Sequence, residues 1–250
     1  MSEPTDIRPT ARARRRRPLR LLVRIMLGLV VLTVLLPIVL VPVYLTADPV
    51  STLMLARWAS GEPVVRDWRP LRAISPNLAR AVVTAEDSRF CRHHGVDWEA
   101  LGSVISDAGP NGPTRGASTI TMQTVKNLFL WQGAGYLRKP IEIALALYAD
   151  RVWPKRRTLE LYLNIAEWGP DGIFGAEAAA RRDFHRGAAS LTPRQAALLA
   201  AALPNPIERD PARPRGEERA WAATVEARAH RGGADLSCLG LGEQRAAFGG

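Results

Sequence analysis

No charged residue occurs between positions 25 and 45, and this run constrains the chain more than any other feature. It consists mainly of Leu, Val and Ile, with Pro37 and Pro42 towards its end. About 20 apolar residues cross a bilayer core as a helix, so the stretch reads as a membrane span. Arginines crowd its N-terminal side (Arg8, Arg12, Arg14, Arg15, Arg16, Arg17, Arg20 and Arg24), opposed only by Glu3 and Asp6. Asp48 follows on the other side. This asymmetry predicts a cytoplasmic N-terminus, with the bulk of the chain beyond the membrane. The rival reading is a cleaved signal peptide. Its apolar region is shorter, about 7–15 residues, and Leu45-Thr46-Ala47 lacks the first small residue of a cleavage site. A retained anchor is expected.

The formal net charge of +10 belongs largely to the arginine tail. It therefore gives no reason to expect a nucleic-acid partner. Cys91 and Cys238 face an oxidising space if the topology holds, where they are free to pair. Their spacing does not show that they meet, and two cysteines are too few for a disulfide scaffold. His93 and His94 are adjacent rather than one helical turn apart, so no metal site is expected.

Five regions follow. Residues 1–20 are a basic tail, 21–46 the transmembrane helix, and 47–75 a linker and approach segment. Residues 76–206 form the catalytic core, and 207–250 a Pro-, Arg- and Gly-rich tail. Apolar spacing predicts helices over 77–85, 141–152, 158–166 and 174–182. Asp97 is expected to cap a helix through Ile105, Ser118 one running to Leu128, and Thr192-Pro193 opens one through Leu203. Period-two patterns are nearly absent, so the class is mainly α. Residues 107–115 are a breaker cluster, read equally as a flap or as a plain surface loop.

Three clusters carry the chemistry. Glu86-Asp87 ends an apolar helix, where burial can raise a carboxyl pKa and make a usable base. Arg89, Phe90, His93 and His94 follow. Ser118, Thr119, Gln123, Lys126 and Asn127 supply hydrogen-bonding groups and a cation. Arg138, Lys139 and Glu142 add two cations and a carboxylate. Taken singly, each reads equally as a helix end, a cap or a solvated turn. Acid, polar loop and cations, in that order behind an anchor, suit glycosyl transfer from a phosphate-linked sugar.

At this point the chain resembles the peptidoglycan glycosyltransferases of glycosyltransferase family 51, in their monofunctional form. Five motifs between Trp68 and Pro206 carry the likeness: Glu86-Asp87-Ser88-Arg89-Phe90 through Gly95, Gly116 to Asn127, Arg138 to Glu142, Lys155 to Asn164, and Gly172 to Phe184. The resemblance implies a lysozyme-like glycosyltransferase domain behind one N-terminal transmembrane helix. It implies a cell-wall enzyme of the inner membrane that polymerises lipid II into β-1,4 glycan strands. The 4-hydroxyl of the incoming N-acetylglucosamine attacks, the anomeric centre inverts, and undecaprenyl pyrophosphate leaves.

On this reading Glu86 is the general base and Glu142 the second catalytic carboxylate, orienting the cationic site. Asp87, Arg89, Phe90, Ser118, Thr119, Gln123, Lys126, Asn127, Arg138 and Lys139 bind substrate. Inversion argues against Glu142 as a nucleophile. No cofactor is required, and a divalent cation such as magnesium is compatible with the pyrophosphate. The partners implied are lipid II, the nascent strand, the membrane and other cell-wall synthesis proteins. Phe129, Leu130, Trp131, Tyr136 and Leu137 read as a membrane-dipping segment rather than a packed helix end.

The sequence departs from the family at Ala117, Met122 and Ala134, the last where many relatives carry an arginine; that pyrophosphate contact is either missing here or supplied from elsewhere, with Arg115 as one candidate. It departs again at Asp183-Phe184-His185, usually Tyr-Phe-Gly, where packing rather than chemistry is expected to change. Two other functions compete. A lysozyme-like glycan-cleaving enzyme also uses a lone glutamate, but gains nothing from Arg138 and Lys139. A non-catalytic membrane scaffold would not need Glu86, Lys126 or Glu142. Residues 207–250 are too few for a peptide-crosslinking domain.

Overall fold

The computed structural model describes residues 11–107, 116–133 and 135–241. The breaker cluster after Asp107, with Arg115, and also Ala134, lie outside the described residues. The chain divides into two units, one up to Leu40 and one from Val41 onward.

The first unit is helical: α1 (Ala11–Val30), a π-helical turn (Val31–Leu35), and the start of α2 (Leu36–Val43). From Pro18 to Val43 the helix runs 26 residues and contains an 18-residue window with a mean hydropathy of 2.8, long and apolar enough to cross a membrane. Leu27, Leu32 and Val39 are exposed along it, which suits hydrocarbon rather than water. The Thr33 hydroxyl donates to the Leu29 carbonyl at 2.6 Å, so this polar group is satisfied within the helix.

The second unit contains α3 (Thr52–Ala59), β1 (Val65–Arg66), α4 (Pro76–Glu86), α5 (Trp98–Ser106), α6 (Ile120–Phe129), α7 (Gly135–Val152) and α8 (Lys155–Ile165). It continues with β2 (Glu167–Gly169), β3 (Ile173–Phe174), α9 (Ala176–Phe184), α10 (Pro193–Ala202) and α11 (Gly216–His230). The class is mainly α, as the periodicity indicated. One small sheet, in the order β1-β3-β2, pairs Val65 with Ile173 in parallel and Glu167 with Phe174 antiparallel.

The helix starts follow capping chemistry. The Ser75, Asp97 and Thr192 side chains accept the first free backbone N–H groups of α4, α5 and α10. Thr119, not Ser118, caps α6: its hydroxyl accepts from Met122 N at 3.1 Å and donates to the Gly95 carbonyl at 2.6 Å. Gly95 has φ +82°, and a Cβ there would lie 2.4 Å from the Ala146 carbonyl oxygen, so glycine is required on both counts.

Three sequence expectations are corrected. Helix α7 begins at Gly135, not 141, and encloses Pro140. The Arg138–Glu142 and Lys139–Glu142 pairs run along these turns. Phe174 lies in β3, and Gly175, at φ +82°, separates it from α9. The supposed tail contains α11, whose Ala222 and Val225 are fully buried against the core of α4 and α10. At the end of α9, His185 adopts the left-handed φ of +52° that a helix C-terminus usually gives to glycine. Asp183 is buried and paired with Arg182 at 2.6 Å.

Two apolar cores meet at α8. One gathers α4, α9, α10 and α11 around Leu159, Tyr162 and Leu163. The other gathers α3, α6 and α7 around Leu161 and Ile165. Helix α8 is therefore buried on nearly every side, which explains its dense apolar composition. Its polar residues are staples. Asn164 exchanges bonds with the Arg69 backbone, and Glu160 accepts Leu71 N–H at 2.7 Å. Arg157 donates to the carbonyls of Tyr44, at 2.9 Å, and Ala47. Its guanidinium and that of Arg66 each lie 5.4 Å from the Trp68 ring centre.

Cys91 and Cys238 form a disulfide across 147 positions of sequence. It joins the turn after α4 to the segment after α11. Arg92–Asp235 at 3.1 Å and the Asp235 N–H to Ser88 carbonyl bond at 3.1 Å reinforce the same junction. A cross-link over so long a loop restricts the unfolded chain strongly. Replacing both cysteines by serine is expected to lower unfolding free energy by about 2–4 kcal/mol, read from denaturant melts. Unchanged stability would show that the hydrogen bonds and packing alone hold the junction.

Candidate active site

Helix α4 ends at Glu86 because the chain turns at Asp87, and that turn places the two carboxylates in different surroundings. Asp87 points inward and is 8% exposed. It accepts the Ile120 N–H at the start of α6 (2.9 Å) and lies 2.9 and 3.0 Å from His93 Nε2. A carboxylate on a helix N-terminus is favoured by the helix dipole. Asp87 therefore docks α6 against the end of α4.

Glu86 is half-buried at the seam of the two cores. Gln123 Nε2 donates to its Oε2 at 2.8 Å, and Gln123 Oε1 accepts from the Tyr162 hydroxyl at 3.1 Å. Burial raises the Glu86 pKa above the ordinary carboxylate value, opposed by the Gln123 bond and by Lys126. The Tyr162 hydroxyl is pushed well above its ordinary value by burial, then by Glu86 and Asp87, so it stays a donor.

Lys126 lies one turn beyond Gln123 on α6. Burial lowers its pKa, and the positive charge of Arg138 and Lys139 lowers it further, against Glu142 and Glu86. Across from it, Arg138 Nε meets Glu142 Oε1 at 2.5 Å, and Lys139 Nζ meets Glu142 Oε2 at 3.1 Å. Arg138 also donates to the carbonyls of Gly133, at 2.8 Å, and Trp131. Lys139 reaches Ser118 Oγ at 2.6 Å. Arg138 and Lys139 thus share one buried carboxylate with Lys126 nearby, leaving excess positive charge suited to a multivalent anion.

Two clefts open on this arrangement. One, of about 380 Å³, is lined by Glu86, Ser88, Arg89, Ser118, Trp221 and Arg228 among others. The other, of about 230 Å³, is lined by Gln123, Lys126, Asn127, Tyr162, Ser51 and Pro204 among others. The Glu86–Gln123 bond links them.

The structure brings Glu86, Gln123, Lys126, Ser118, Arg138, Lys139 and Glu142 together, with Asn127 on a cleft wall. The remaining candidates make other contacts. Phe90 is fully buried, with Lys155 Nζ 4.7 Å from its ring centre, so it packs the core instead of contacting substrate. Asp87 and Thr119 also line the first cleft, but their polar atoms are engaged in holding helices. Arg89 borders the first cleft, but it is engaged by Glu99 at 2.5 Å and Asp97 at 3.6 Å. Met122 is fully buried, so the amide it replaces would have no cleft to serve. Of the membrane-dipping segment, Leu130 is buried and Phe129 stacks on Tyr44 at 5.8 Å, whereas Trp131 and Leu137 are exposed.

Tyr162 was not singled out, although a hydroxyl inside a leucine-rich helix was its signal. Trp221 and Arg228 were hidden by the tail-like composition around them. Among the described residues no three of His, Cys, Asp and Glu cluster as metal ligands. The carboxylate at the cationic site, Glu142, has both oxygens engaged by cations.

The transglycosylase family model matches residues 53–230. A protein of Brucella suis biovar 1 (strain 1330) is 52% identical over 219 residues, 87% of this chain and 97% of its own length. A protein of Agrobacterium fabrum (strain C58 / ATCC 33970) is 51% identical over 219 residues, 86% of this chain and 96% of its own. One of Rhodopseudomonas palustris (strain TIE-1) is 50% identical over 229 residues, 92% of this chain and 94% of its own. Each of the three bears the name biosynthetic peptidoglycan transglycosylase. The fold and site define a glycosyl-transferring enzyme with a helical, lysozyme-like domain. The chain belongs to the transglycosylase family.

Because the folded carboxyl of Glu86 titrates above its ordinary value, the folded chain holds that proton to higher pH than the unfolded chain does. The resulting stability is complete below the unfolded pKa and is lost as pH rises through the raised one. Charged Glu86 therefore costs stability at neutral pH. The melting temperature of Glu86→Gln at pH 7 is expected to equal or exceed that of the wild type. A lower value would contradict the assigned environment.

Proposed function

We propose that this enzyme polymerises lipid II into β-1,4-linked glycan strands for the bacterial cell wall, with inversion and release of undecaprenyl pyrophosphate. One observation carries the proposal: a half-buried carboxylate bonded to Gln123, one turn from a lysine that faces two further cations. A sugar hydroxyl is a poor nucleophile, so a base of raised pKa is the group the acceptor needs. A pyrophosphate leaves as a stable anion and needs neutralising charge more than a proton.

Glu86 takes the proton of the acceptor 4-hydroxyl as its oxygen attacks the anomeric carbon. The bond to the pyrophosphate oxygen breaks, and Lys126, Arg138 and Lys139 receive the departing charge. Glu142 holds Arg138 and Lys139 in place and, with both oxygens engaged, is no nucleophile. A glycan-cleaving reaction has no comparable use for the cationic cluster. The arginine-rich N-terminus supports a cytoplasmic start, and the disulfide suits an oxidising space beyond the inner membrane for the catalytic unit. The relatives' shared name supports the peptidoglycan assignment.

Purified protein with labelled lipid II in detergent tests this. Wild type is expected to make glycan polymer, Glu86→Gln to be slower by about 10²–10⁴-fold, and Lys139→Ala by about 10²-fold in turnover. The rate should rise as Glu86 deprotonates above the ordinary carboxylate range. It should fall as Lys126 loses its proton below the ordinary lysine range. Wild-type-like turnover by Glu86→Gln would remove the base assignment. No polymer from folded wild type would leave the scaffold reading.

A further inference from the structure

The cleft that holds Glu86 has one wall the mechanism above does not use. Helix α11 contributes Trp221 and Arg228 to it, seven positions apart and so on one face of the helix. Trp221 is half-buried and packs against the core. The Arg228 guanidinium lies 5.8 Å from the Trp221 ring centre, within reach of a cation–π contact that orients it. Arg228 is exposed, and among the described residues it has no carboxylate partner. The other arginine of this cleft, Arg89, is already paired with Glu99 and Asp97. Arg228 is thus the arginine in the Glu86 cleft with charge to offer an anion.

The same cleft includes Ser118, which touches Lys139 of the cationic cluster. If the substrate pyrophosphate sits at Lys126, Arg138 and Lys139, the sugar bearing it enters the cleft beside Ser118. That sugar carries a second anionic group, the carboxylates of the stem peptide on its lactyl ether. Resting on the lipid II reading, we infer that Trp221 and Arg228 form a subsite for this peptide. Arg228 binds a carboxylate by charge-assisted hydrogen bonds, and Trp221 supports the guanidinium from below. The disulfide to Cys238 and the Arg92–Asp235 pair hold the segment after α11 to the turn after Glu86, which keeps this wall close to the base.

The competing role for Arg228 is structural, a cation in the last turn of α11 that complements the helix dipole. The test separates the two. Full-length wild type, Arg228→Gln and Arg228→Glu are compared on lipid II and on the same lipid-linked disaccharide with its peptide removed. Binding and polymerisation are both measured, with melting temperature as the structural readout. The expected result is a rise in KM and Kd of about tenfold for peptide-bearing lipid II, the size of a lost charge-assisted hydrogen bond. The peptide-free substrate should change by less than about twofold. Equal losses on both substrates, or no change on either, would overturn the subsite. If Arg228→Glu fails to fold, Arg228→Gln decides. If wild type binds lipid II without polymerising it, the functional reading fails, and the binding comparison still decides the subsite.

Discussion

The site depends first on one buried carboxylate, Asp87, that docks one helix on the end of another. Asp87 accepts the leading N–H of α6 and pairs with His93 just behind the end of α4. A buried polar group needs hydrogen-bond partners, and here a helix terminus and an imidazole supply them. Without that clasp, Gln123 and Lys126 would have no fixed distance from Glu86. Adjacent residues thus divide the work: Asp87 fixes the frame, and Glu86 faces the cleft.

The second constraint is the seam itself. Helix α8 separates two apolar cores and offers a hydroxyl, Tyr162, at the point where they part. Tyr162 holds Gln123, and Gln123 holds Glu86, so the orientation of the base is set from within the protein. The surroundings that exclude water from Glu86 also raise its pKa. Across the cleft, Arg138 and Lys139 share one carboxylate, and burial, then the nearby positive charge, lowers the pKa of Lys126. A basic carboxylate and an undercompensated cationic cluster are complementary to a nucleophile losing a proton and a leaving group gaining charge.

Much of this was legible in the sequence. The apolar run, the helical periodicity, the caps at Asp97 and Thr192, and the polar residues gathered around Glu86 follow from local chemistry. What was hidden depends on tertiary contacts. Phe90 reads as a cleft aromatic until the core closes over it. Thr119 and Ser118 are equally good caps, and only the Gly95 carbonyl and Lys139 decide between them. Pro140 signals a helix boundary, but α7 runs through it. Helix α11 lies in a stretch whose prolines, arginines and glycines imitate a tail, and its burial against α4 and α10 has no local signature. Cys91 and Cys238 meet only because that helix docks.

The central claim is that Glu86 is a carboxylate poised by burial to act as a base. Its titration can be followed directly by carbon NMR on protein labelled at glutamate side chains, assigned with Glu86→Gln. The account predicts a midpoint above the ordinary glutamate value of about 4.3. A midpoint at or below that value would mean that Glu86 is solvated or fully ion-paired, and would contradict the role assigned to it.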